Sequence, residues 1–86
     1  MWSVIERERI PKQIRKAPRE IQLKYEFWKS VIELEGPIGL RRLPGLRDHA
    51  LKGEWLGARA SRLSLQWRVI YLIVRDRAEV LVLELN

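Results

Sequence analysis

The apolar positions change period along the chain. Trp2, Val4 and Ile5 form a short apolar run that suits the opening strand of a sheet and breaks into charge at Glu6. Residues 10–16 have weak helical spacing, with Pro11 near the start and Pro18 beyond the end. From Pro18, a favourable first helical residue, Ile21, Tyr25, Phe27, Trp28, Val31, Ile32 and Leu34 recur at three- and four-residue spacing. Lys24, Glu26, Lys29, Glu33 and Glu35 occupy most positions between them. This spacing predicts an amphipathic helix over residues 18–35, with Glu20 in its first turn and Gly36-Pro37 as its stop.

Residues 36–57 show no such period and read as a long loop. Beyond them the pattern is that of strands. Residues 59–63 are short and polar-rich, whereas 67–74 (WRVIYLIV) are β-branched, aromatic and nearly continuous in apolar character, as a central strand should be. Residues 75–78 form a turn and 79–85 a final strand. An N-terminal strand, two helices and an antiparallel meander predict an α+β fold with the helices on one face of the sheet. Eighty-six residues suffice for one domain, spanning 1–86.

The turns fix a register. A three-residue turn at Ser64-Leu65-Gln66 sets Leu63 opposite Trp67 and Arg62 opposite Arg68. Two like charges facing each other cost stability, so a sheet best tolerates them where an anion sits between them. A second hairpin turning on Asp76-Arg77 pairs Arg75 with Ala78, which puts Arg68 beside Leu85 and Asn86 beside Trp67. The chain therefore ends against the arginine pair.

Charge sharpens this picture. Seventeen Lys and Arg against eleven Asp and Glu give a net charge of +6. The excess is concentrated in residues 41–77, which hold nine basic side chains against three acidic. Eight of those nine are arginine, including Arg41 and Arg42, and arginine's planar fork suits phosphate. Absence of cysteine excludes a disulfide scaffold, a thiolate metal site and a cysteine nucleophile. A single histidine, His49, excludes the usual two-histidine zinc motifs. No apolar run reaches the roughly 20 residues of a membrane span, and the first apolar run is too short for a secretory leader. The expectation is a cytoplasmic protein with a polyanionic or acidic partner and neither cofactor, metal nor membrane.

Three segments carry a resemblance. Gly45-Leu46-Arg47-Asp48-His49-Ala50-Leu51-Lys52-Gly53, Arg59-Ala60-Ser61-Arg62-Leu63 and Trp67-Arg68-Val69-Ile70-Tyr71 follow one another in order and spacing similar to RelE/HigB/YoeB-type toxins of bacterial toxin–antitoxin pairs, within the RelE/ParE superfamily. The match covers about residues 40–85. It implies a small microbial-ribonuclease-like fold that enters the ribosomal A site and cleaves mRNA without a metal, the 2′-hydroxyl attacking the adjacent phosphate. On that resemblance Arg68 is the arginine at the scissile phosphate and Arg62 a second phosphate clamp. His49 lies near the place of a carboxylate base and is able to act near neutral pH. Lys52 and Arg59, with Arg41 and Arg42, would bind the RNA backbone, and Trp55 or Trp67 would stack a base. The resemblance further implies a cognate antitoxin that wraps the basic surface, with the ribosome and mRNA as the other partners.

Each role has a plainer rival. Trp67 alternates with Val69 and Tyr71 and suits the core, as does Trp28. His49 suits a surface hydrogen bond, and Arg62 and Arg68 suit cross-sheet pairing with Glu79 or Glu84. Many relatives continue into a terminal His or Tyr that serves acid–base chemistry, whereas this sequence stops at Asn86, so the expectation is RNA and ribosome binding with impaired cleavage. Two other functions fit the same features: a ParE-type toxin that inhibits DNA gyrase by binding it, and a noncatalytic basic RNA-binding module.

Overall fold

A computed structural model describes all 86 residues. Strand β1 (Ser3–Glu6) is followed by helices α1 (Ile10–Lys16), α2 (Arg19–Glu35) and the single turn α3 (Ile38–Arg41). Strands β2 (His49–Ala50), β3 (Arg59–Arg62), β4 (Arg68–Val74) and β5 (Glu79–Leu85) complete the chain. The five strands form one sheet in the order β1-β5-β4-β3-β2. From β2 to β5 each pair is antiparallel, as the meander requires, but β1 lies parallel to β5, so the sheet is mixed. That pairing joins the two ends of the sequence and carries no local signal.

Helix α2 starts one residue later than its spacing predicts. Pro18 is extended, with ψ 150°, and caps the helix from outside rather than forming its first residue. The helix buries Ile21, Tyr25, Trp28, Val31 and Ile32 against the sheet. Phe27 and Leu34, assigned to the same stripe by their spacing, remain exposed, because the stripe is wider than the face the sheet covers. The segment 36–57 is not a plain loop: it holds α3, β2 and tight turns at Pro44–Leu46 and Gly53–Trp55.

Aromatic packing joins α2 to the sheet. Trp28 stacks on Tyr25 at 5.7 Å and meets Tyr71 of β4 edge-on at 5.4 Å, and all three are buried. Leu63, Val69, Val80, Val82 and Leu85 complete this helix-side core. Ala58, Ala60, Ile70 and Leu83 form a smaller cluster on the other face, where Leu51 and Trp55 pack over them.

The hairpin arithmetic holds at Arg62, which lies opposite Arg68. It holds through Val74–Glu79 and on to Tyr71–Val82, but then slips by one, so that Ile70 faces Glu84. Leu83 is the extra residue. The bulge places Leu85 in the helix-side core alongside Val82, where strict alternation would have put Glu84. In consequence Arg68 lies opposite Asn86 rather than Leu85, and the two exchange backbone hydrogen bonds of 2.7 and 3.1 Å.

Gly36 ends α2 with φ 78° and ψ 177°, a backbone region open essentially to glycine alone. A Cβ there would stand 2.8 Å from Trp2 Nε1. Gly36→Ala should therefore lower unfolding free energy by roughly 1–3 kcal/mol in urea denaturation. An unchanged midpoint would show that the helix stop and the Trp2 contact relax freely.

Candidate phosphate-binding site

Strand alternation sorts the basic residues. Residues directly opposite in an antiparallel pair point to the same face. Arg59 pairs with Tyr71 and Ser61 with Val69, so Arg59 and Ser61 point toward the helices. Ala60 pairs with Ile70 and with His49, and Arg62 with Arg68, so His49, Arg62 and Arg68 share the opposite face.

Around these residues lies an open cleft of about 580 Å³, lined by Arg47, Asp48, His49, Ala60, Ser61, Arg62 and Arg68. Arg62 and Arg68 also line a smaller notch beside it, with Trp67 and Asn86. Neither arginine forms an ion pair. Glu84, a cross-sheet candidate for that role, is engaged by Arg9 at 2.6 Å. Arg68 Nε has only the Asn86 side-chain oxygen at 3.4 Å, a long contact to a neutral group. Two guanidinium groups therefore face each other without a counter-charge, an arrangement suited to a bound anion.

The cleft wall is held by a buried polar network. Asp48, whose side chain is 0% exposed, accepts a hydrogen bond from Arg59 Nε at 2.7 Å and from Ser61 Oγ at 2.7 Å. Tyr71 donates a third to the same carboxylate. Trp28 Nε1 donates to Ser61 Oγ at 3.0 Å, tying the network to α2. Burial works against the Arg59 charge, but the hydrogen bond and negative charge of Asp48 outweigh it and push the guanidinium pKa up.

Asp48 thereby fixes both of its neighbours in the cleft. Arg47 takes a left-handed conformation, φ 44° and ψ 44°, at the end of the Pro44–Leu46 turn. Its carbonyl lies 2.8 Å from His49 Nδ1. A carbonyl only accepts, so Nδ1 carries the proton and the neutral ring has its lone pair on Nε2. His49 thus offers a base at Nε2 on the face that Arg62 and Arg68 share.

Comparison with solved structures identifies the architecture. RelE in an archaeal RelE–RelB complex from Pyrococcus horikoshii superposes with TM-score 0.79 at 19% identity, covering 99% of this chain and 92% of that one. The fold is that of the RelE-type toxins. YafQ from E. coli gives TM-score 0.77 at 15% identity, covering 100% and 92% of the two chains. The YoeB–YefM complex from Staphylococcus aureus gives 0.75 at 10% identity, covering 100% and 95%. No family model and no curated protein matches the sequence.

On this RelE-type fold, Arg62, Arg68 and His49 come together in the cleft and the remaining candidates do not. Arg59 points to the other face and is held by Asp48. Lys52 and Trp55 do not line the cleft: Lys52 is exposed before the Gly53–Trp55 turn, and Trp55 packs over Ala60 and Ile70. Trp67 packs against the helix-side core. Arg41 lies in a separate recess with Trp2 and Arg75, and Arg42 pairs with Glu35 at 3.2 Å. Sequence reasoning missed Arg47, Asp48, Ser61 and Tyr71 as parts of the site. One signal was available for Asp48, a lone acid between Arg47 and His49 in a strongly basic stretch.

Asp48→Asn leaves the Arg59 charge without its counter-charge and should cost about 3 kcal/mol in urea denaturation. A loss under about 1 kcal/mol would show that the network does not anchor the loop. Both tyrosines resist ionisation: burial, then a hydrogen bond to Glu6 for Tyr25 and to Asp48 for Tyr71, raise their pKa values above the usual 10.0. Because the folded pKa is raised, this contribution to stability is complete below about pH 10 and is lost as pH rises toward the folded values. Tyrosinate absorbance should therefore be absent from the native protein at about pH 11 and appear together with unfolding. Gradual titration of both rings in the folded protein would contradict it.

Proposed function

We propose that this chain is the toxin of a toxin–antitoxin pair and acts in the cytoplasm as an endoribonuclease on ribosome-bound mRNA. The observation that carries the reading is the Arg62–Arg68 pair, opposed and without counter-ions beside His49, on a RelE-type fold.

The cleft residues suit metal-independent cleavage. A phosphate seated between Arg62 and Arg68 is polarised by both, and their charges grow in value as the attacked phosphorus gains negative charge. His49 Nε2 accepts the proton of the attacking 2′-hydroxyl, and Nδ1 keeps its hydrogen bond to the Arg47 carbonyl throughout. The P–O bond to the leaving 5′-oxygen then breaks, giving a 2′,3′-cyclic phosphate. Asp48 is committed to three donors, so the cleft offers this oxygen no second free proton carrier. Protonation falls to solvent or to the ribosome, and cleavage should be slow for that reason. Arg47 adds a third cation to the cleft.

An antitoxin partner follows from the same charge. RelE and YoeB were solved in complex with RelB and YefM, and a net charge of +6 suits an acidic segment that covers the cations.

The test is inducible expression with mapping of mRNA ends on ribosomes. The wild-type chain should arrest growth with cuts in ribosome-bound mRNA, and Arg68→Ala should slow cleavage on programmed ribosomes by about 10²–10³-fold. Growth arrest with intact mRNA, retained by Arg68→Ala and accompanied by loss of gyrase supercoiling, would replace this reading with gyrase inhibition. Salt-sensitive RNA binding without growth arrest would reduce it to a binding module.

A further inference from the structure

We infer that a groove between α2 and the Pro44–Leu46 turn is a subsite for one unpaired base of single-stranded RNA, with Phe27 as its stacking platform. The groove holds about 320 Å³ and is lined by Lys24, Phe27, Leu43, Pro44, Leu46 and Arg62 among others. The inference rests on the ribonuclease reading and names where the strand goes next.

Three observations point to a base. Phe27 is 53% exposed, and every Trp and Tyr of the protein is half-buried or buried. Trp55 and Trp67, the residues the resemblance offers for stacking, are half-buried and pack against the two cores, with only part of Trp67 open to the notch beside Arg68. Phe27 is thus the Phe, Tyr or Trp ring most open to a base, whose flat face any aromatic side chain can stack upon. Next, the groove borders the cleft, because Arg62 lines both. A strand whose phosphate lies at Arg62 has its neighbouring nucleotide within reach of the groove. Finally, Lys24 and Arg62 line the groove with the ring and neither takes part in an ion pair. Two free cations flanking an apolar floor suit a base between two phosphates.

An acidic amphipathic protein segment is the rival occupant, since Leu23 and Leu34 are also exposed on α2. Neither of them lines the groove, whereas Phe27 and both free cations do. The observations inside the groove therefore favour RNA.

The experiment measures binding of a fluorescein-labelled ten-nucleotide single-stranded RNA to the full chain at several salt concentrations, for wild type, Phe27→Ala, Phe27→Leu, Phe27→Trp and Lys24→Ala. Thermal melts confirm folding of each, which exposure of Phe27 favours. Phe27→Ala and Phe27→Leu should both weaken binding about tenfold with an unchanged salt slope. Phe27→Trp should hold or improve it, and Lys24→Ala should flatten the slope by about 0.7, the value of one phosphate contact. Leucine keeps apolar area but has no ring face, so wild-type affinity in Phe27→Leu would overturn stacking. Unchanged RNA affinity in Phe27→Ala, with loss of a co-expressed antitoxin, would assign the groove to protein and overturn the subsite. Failure of the wild-type chain to bind free RNA at all, or binding that is indifferent to Phe27, would overturn the subsite; the ribonuclease reading falls only if ribosome-bound mRNA is left uncut.

Discussion

One buried carboxylate holds the site in place. The Asp48 side chain has no exposure, and a charge so placed is costly unless it is paired and its oxygens are hydrogen-bonded. Here Arg59 supplies the counter-charge, while Ser61 and Tyr71 occupy the second oxygen. No buried side-chain polar atom is left without a partner. Through Ser61 the network reaches Trp28, the ring that joins α2 to β4 through its contact with Tyr71. A loop residue is thereby coupled to the centre of the core, and its neighbours Arg47 and His49 acquire fixed positions in a segment that backbone propensity alone would leave mobile.

The bulge at Leu83 works at the other side of the cleft. Apolar residues at Val82 and Leu85 both belong to the helix-side core, an odd spacing that a regular strand cannot satisfy. Inserting Leu83 into the far-face cluster resolves it and advances Asn86 to the position opposite Arg68. Backbone pairing thus continues to the level of the opposed arginines and holds Arg68 at the sheet's end, where its side chain is exposed but its main chain is fixed. That combination suits a phosphate clamp, which needs an accessible guanidinium on a rigid strand.

Much of this was legible in the sequence where the controlling signal is local. The bounds of α1 and β5, the stop of α2 and the pairing of Arg62 with Arg68 all follow from short-range period and turn length. The parallel pairing of β1 with β5 and the partners of Asp48, which stand 11, 13 and 23 residues away, depend on tertiary contacts that no local period encodes. The position of Arg59 was within reach. The same turn that pairs Arg62 with Arg68 pairs Arg59 with Tyr71, and alternation then sends it to the face opposite the arginine pair. Phe27 lay beyond sequence reasoning for another reason: a helical stripe shows which residues share a side, not how wide a face the sheet will cover.

The two faces of the sheet treat charge in opposite ways, and this gives the net charge of +6 its meaning. On and around the helix side, Arg9, Lys29, Arg42 and Arg59 each have a carboxylate partner. In the cleft, Arg62 and Arg68 have none, and Glu84, whose strand neighbours that of Arg68, is taken by Arg9. Pairing Glu84 with Arg9 instead leaves a repulsion in the native state that the Asp48 network and the aromatic core must outweigh. An arriving phosphate relieves that repulsion without requiring the arginines to leave any existing partner. The electrostatic cost is therefore incurred during folding, and the reorganisation that usually opposes anion binding has already been made.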